Sequence, residues 1–177
     1  IMLVPFIAVL GSDIDRLTVV PVLCACVFAC CWYALARKRI GFVPAIVGVV
    51  AVTVTPLLLS WTELIQSEWP FLAVTFVALV LIDRLAGSGA FVDERSRVVP
   101  LVIVGLAAAA AFSVRREGLA MIGAVGIAQL AALAAAGLAP RRPLTADSRS
   151  LITRLAVPHV TFLATIGLLQ MTLPSTV

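Results

Sequence analysis

Apolar residues run along this chain in long blocks separated by short polar stretches. Six blocks reach spanning length, at roughly 17–36, 42–60, 69–86, 98–114, 118–138 and 155–173. A bilayer core of about 30 Å takes about 20 helical residues at about 1.5 Å rise each. The opening IMLVPFIAVL is too short to span and carries Pro5, so residues 1–16 are expected to form an interfacial or re-entrant segment. The pattern predicts an all-α fold, a polytopic transmembrane helix bundle making one membrane domain over 1–177.

Composition supports the pattern. Charged residues make up 12% of the chain, hydrophobic residues 62%, and mean hydropathy is +1.15. An ordinary soluble domain carries roughly 25% charge, so the soluble classes are excluded. Net charge is +4, but the cations sit in short loops without aromatic interleaving. They therefore read as topology signals, not as a nucleic-acid surface. Nothing after Met2 resembles a signal peptide, and an opening at Ile1 leads to the expectation of sequence upstream. The Ala, Val and Arg bias fits a high-GC bacterium and its plasma (inner) membrane.

The loops set an orientation. Arg37, Lys38 and Arg39 fall on one side with Arg84, Arg95, Arg97, Arg141, Arg142, Arg149 and Arg154, while the alternate loops hold only Arg16, Arg115 and Arg116. Ten cations against three is a positive-inside signal. It places residues 1–16, 61–68, 114–118 and the C-terminus outside the cytoplasm. GSGAFVDERSR and PRRPLTADSRS then read as polar cytoplasmic loops.

Few side chains suggest chemistry. Cys24, Cys26, Cys30 and Cys31 share one apolar run, where four thiolates cannot surround a metal from one straight helix, so they read as buried packing. Gly123 and Gly126 and the alanine run 107–111 would permit close helix packing. Asp83 and Arg84 lie at a helix end, and Gln129 is the main polar residue deep in a span, weak support for a transporter. His159, the one histidine, reads as an interfacial residue at the start of the last helix, away from the other polar features. Asp13 and Asp15 either cap the following helix or, with Glu63, form an acceptor-side or divalent-cation site. No other metal site is suggested.

Two places on the outer face stand out. QSEWP, residues 66–70, puts Ser67 and Glu68 at a helix start with Pro70 in the first turn, either a cap flanked by interfacial Trp61 and Trp69 or part of a site. SVRREGL, residues 113–119, puts Arg115 and Arg116 at a tight turn on the side otherwise poor in cations. Two guanidiniums there suit a phosphate, and a solvated turn partnered by Glu117 is the alternative.

Taken in order, LVPFIAVLGSDIDRL, WYALARKRIG, TPLLLSWTELIQSEWPFLAVTFVALVLIDR and LVIVGLAAAAAFSVRREGLAMI resemble the GT-C superfamily of membrane glycosyltransferases. That group includes the dolichyl-phosphate-mannose protein mannosyltransferases and the aminoarabinose transferases, and the resemblance covers roughly residues 1–135. It implies transfer of a sugar from a polyprenyl-phosphate donor, on the extracytoplasmic face, to a lipid, glycan or protein acceptor. Glu68 matches the family's acidic residue before its fourth helix and would be the catalytic candidate. Arg115 and Arg116 match a basic position that would bind the donor phosphate. The family's first helix and principal acidic loop would precede Ile1, and its later helices and distal domain also lie outside this stretch. The resemblance thus leaves two forms open, an internal portion of a larger enzyme or a shortened, non-catalytic homologue serving as a subunit or scaffold in a membrane complex. A transporter or flippase is the remaining alternative.

Overall fold

The computed structural model describes residues 17–56, 67–93, 97–138 and 148–172. Among them the chain is all helical, without strands: α1 (Val19–Ile40), α2 (Phe42–Thr53), α3 (Glu68–Ser88), α4 (Val99–Val114), α5 (Leu119–Leu138) and α6 (Ser148–Thr172). A single 3₁₀ turn, Arg116–Gly118, joins α4 to α5. Four segments are long and apolar enough to cross a membrane: Val19–Ile40, Glu68–Ser88, Arg116–Gly137 and Arg149–Thr172. The fold is an all-α membrane helix bundle. α2 and α4 are shorter, at 12 and 16 residues.

Local chemistry explains the helix ends that hydropathy misplaces. α2 stops at Thr53, short of the apolar run's end at 60, because Pro56 follows. Proline has no N–H to continue the ladder and disfavours helical backbone in the residue before it. The Thr53 and Thr55 hydroxyls donate to the Val49 and Ala51 carbonyls, 2.8 and 2.9 Å. α6 starts at Ser148, well before the apolar run at 155, so Arg149 and Arg154 are helical rather than loop residues.

The chain divides into two compact units, residues 1–80 and 81–177, with the division inside α3. In the first unit an aromatic cluster joins α1 to α3. Phe28 meets Phe76 edge-on at 4.7 Å between ring centroids, Trp32 at 5.4 Å and Trp69 at 5.8 Å. Such edge-to-face pairs add to the burial of large apolar rings. Trp69 is only 1% exposed: the expected interfacial anchor is a core residue, because Phe28 draws it inward. The cysteines also depart from expectation. Cys26 and Cys30 are exposed and Cys24 and Cys31 half-buried, since a helix apolar on all sides does not say which face is covered.

In the second unit α4 is the centre. Leu101, Val104, Gly105, Ala108, Ala109 and Ala111 form its buried stripe, at the three- and four-residue spacing of one helix face. α6 lies so close that a Cβ on Gly105 would meet the Pro158 carbonyl oxygen at 2.6 Å and the Thr161 Cβ at 2.8 Å. Phe112 and Phe162 meet edge-on at 5.9 Å farther along. The glycines expected to permit such an approach, Gly123 and Gly126, have nothing within 4 Å of a Cβ. The close contact belongs to Gly105 instead.

The end of α3 turns through a Schellman motif: Ala90 N–H donates to the Leu85 carbonyl at 3.0 Å and Gly89 N–H to the Ala86 carbonyl at 3.2 Å. Gly89 supplies the positive φ of 69° that the motif requires. This segment is no simple polar loop, since Ala90 and Phe91 are buried. Arg154 of α6 donates Nη2 to the Ala90 carbonyl at 2.7 Å. A charge-assisted bond to a buried carbonyl is how a guanidinium is accommodated at 5% exposure.

Candidate functional site

Glu68 opens α3. Phe71 N–H donates to the Ser67 carbonyl at 2.9 Å, so Ser67 holds the N-cap position and Glu68, Trp69 and Pro70 form the first turn. Pro70 thus falls where a helix needs no N–H, and the Glu68 carboxylate stands at the positive end of the helix dipole. Beside it, the buried indole Nε1–H of Trp69 has no hydrogen-bond partner among the described residues. Leaving such a donor unsatisfied costs about 1–3 kcal/mol. The α3 start therefore combines a half-buried carboxylate with an unsatisfied donor on the neighbouring residue.

The Arg115–Gly118 turn sets its cations differently from one another. Arg115 is extended, with φ −147° and ψ 143°, and ends α4. Its Nη2 and Nε reach the two carboxylate oxygens of Glu117 at 3.3 and 3.4 Å. Arg116 is exposed. Gly118 closes the turn, where a side chain would collide with the Ala111 and Phe112 backbone. Water screens the exposed Arg115–Glu117 pair, so it contributes little and a stronger anion can displace Glu117.

Glu68 belongs to the first unit, and Arg115 and Arg116 belong to the second. Asp13, Asp15, Glu63 and Trp61, and the N-terminal segment 1–16, lie outside the described residues. Among the described residues no group of three or more His, Cys, Asp or Glu side chains could hold a metal ion.

One polar pair escapes a linear reading. Gln129, 5% exposed, donates Nε2 to the Leu155 carbonyl at 2.9 Å, and its Oε1 lies 3.0 Å from His159 Nε2. With the amide nitrogen turned to a carbonyl, the amide oxygen faces the imidazole, so His159 Nε2 is the donor. His159 is therefore not at the start of α6, where its position in the apolar run put it. The polar turns from Ser148 to Arg154 extend the helix and carry His159 to its middle. Pro158, buried beside it, removes the N–H that would have served the Arg154 carbonyl.

A family model described as dolichyl-phosphate-mannose-protein mannosyltransferase matches residues 2–142, a stretch that includes Glu68, Arg115 and Arg116. No curated protein and no solved structure gives a match.

Proposed function

Because this chain belongs to the dolichyl-phosphate-mannose-protein mannosyltransferase family, we propose that it transfers a sugar from a polyprenyl-phosphate donor to a lipid, glycan or protein acceptor at the extracytoplasmic face. The observation that carries this reading is the family match, which runs through both polar segments, 66–70 and 113–119. A membrane glycosyltransferase of this kind needs a carboxylate to take the acceptor hydroxyl's proton and fixed cations for the departing lipid phosphate.

In this reading Glu68 is the general base. Its place at the first turn of a long helix gives it a rigid support. Arg116, exposed on the turn, meets the donor phosphate, and Arg115 joins it by exchanging Glu117 for the phosphate, whose oxygens match the guanidinium fork.

The test is transfer of radiolabelled sugar from a polyprenyl-phosphate donor in membranes carrying the protein. Glu68→Gln keeps the size of the side chain and removes the base, so transfer falls by about 10²–10⁴-fold with insertion unchanged. The double substitution Arg115→Gln and Arg116→Gln raises the donor concentration needed for half-maximal rate. Full transfer by Glu68→Gln would reduce Glu68 to a helix-capping residue.

A further inference from the structure

α1 ends in Arg37, Lys38, Arg39, Ile40, and Gly41, with φ 87°, turns the chain straight into α2. The 22 residues of α1 span about 33 Å at the helical rise, close to the bilayer core of about 30 Å. Its last turn therefore sits at headgroup level.

There the Arg37 guanidinium rests against a pair of rings. Its Cζ lies 6.0 Å from the Tyr33 centroid and 5.9 Å from the Phe42 centroid, and the rings meet edge-on at 6.3 Å. Rings attract a cation but do not consume its N–H donors in the way a carboxylate does. No carboxylate pairs with Arg37 among the described residues. Lys38 and Arg39 follow it, all three exposed. Around them Ile40, Phe42 and Val43 are 56%, 57% and 66% exposed. The corner thus presents an oriented guanidinium, two further exposed cations and bare apolar surface together.

We infer that the α1–α2 corner is a binding site for an anionic phospholipid, with the headgroup phosphate on Arg37 and its neighbours and the acyl chain along Ile40, Phe42 and Val43. The shared chemistry with free phosphate is the anion. The apolar rim distinguishes the two, because inorganic phosphate has nothing to place on it. Each cation near a headgroup is worth about fivefold in affinity, and three are worth on the order of a hundredfold.

Native mass spectrometry of the purified protein, titrated with phosphatidylglycerol or phosphatidylcholine, tests this. The wild-type protein retains phosphatidylglycerol selectively. The triple variant Arg37→Gln, Lys38→Gln, Arg39→Gln loses that selectivity by on the order of a hundredfold. Phe42→Leu keeps every charge and loses about two- to fivefold, through the lost ring contact. Excess inorganic phosphate leaves the bound lipid in place. Circular dichroism checks folding. Should the triple variant misfold, Arg37→Gln alone, compared with Arg37→Lys, carries the test, the first losing about fivefold and the second little. Equal retention of both lipids, unchanged selectivity in the glutamine variants, or displacement by inorganic phosphate overturns the inference.

Discussion

A glutamine amide in the middle of an apolar helix must find partners inside the protein, because the hydrocarbon offers none. Gln129 finds two, the Leu155 carbonyl and the His159 ring, both on α6. Gln129→Leu removes both bonds and leaves the imidazole donor unpaired, and we expect a loss of about 1–2 kcal/mol, in line with side-chain hydrogen bonds measured in membrane helices. Detergent-based unfolding compares it with His159→Leu and with the double variant. Losses in the double variant smaller than the sum of the two singles mark the pair as coupled. Glu68 differs, since its carboxylate opens a helix at the positive end of the helix dipole. That is why the residue could be singled out from the sequence, while its role needs the transfer experiment.

Between elements, the decisive contact is α4 on α6. Gly105→Ala places a methyl carbon 2.6 Å from the Pro158 carbonyl oxygen, so the helices must part. Overpacking of this kind costs about 1–3 kcal/mol. Gly123→Ala meets nothing within 4 Å, and replacing a helical glycine there stabilises by about 0.5–1 kcal/mol. Opposite signs in paired thermal unfolding measurements check the assignment. Both glycines lie in apolar helices, and the sequence offers no signal that separates them. In lipid, small residues mark a contact only where a partner helix approaches, and that approach is set by the partner's shape. On α4 the small Gly105, Ala108 and Ala109 face inward while Ile103 and Leu106, 44% and 46% exposed, face out. Leu101 and Val104 are buried beside them, so side-chain size alone does not choose the face here.

For the whole molecule, the distribution of cations carries an orientation that can be measured directly. In a variant lacking the four native cysteines, Arg116→Cys is expected to react with a membrane-impermeant thiol reagent added to intact cells. Arg39→Cys is expected to react only after permeabilisation. The reverse pattern would put the Arg115–Gly118 turn on the cytoplasmic side and overturn the proposed extracytoplasmic role of Arg115 and Arg116.

What the sequence determined by itself was the class of molecule. Long apolar blocks admit only helices in a membrane, because every backbone N–H and C=O must be satisfied within its own segment, and the ordered motifs pointed to the family that the match over 2–142 supports. The polar start of α6 was not legible, because hydropathy reports what lipid tolerates and not what a helix can bury against a carbonyl. Arg154 is buried because the Schellman turn aims the Ala90 carbonyl at it. The tertiary structure alone decided which face of each helix is covered, that Trp69 belongs to a core and that His159 meets Gln129. An all-apolar helix presents nearly equivalent faces to lipid, so only the shape and hydrogen-bonding needs of its neighbours can select one.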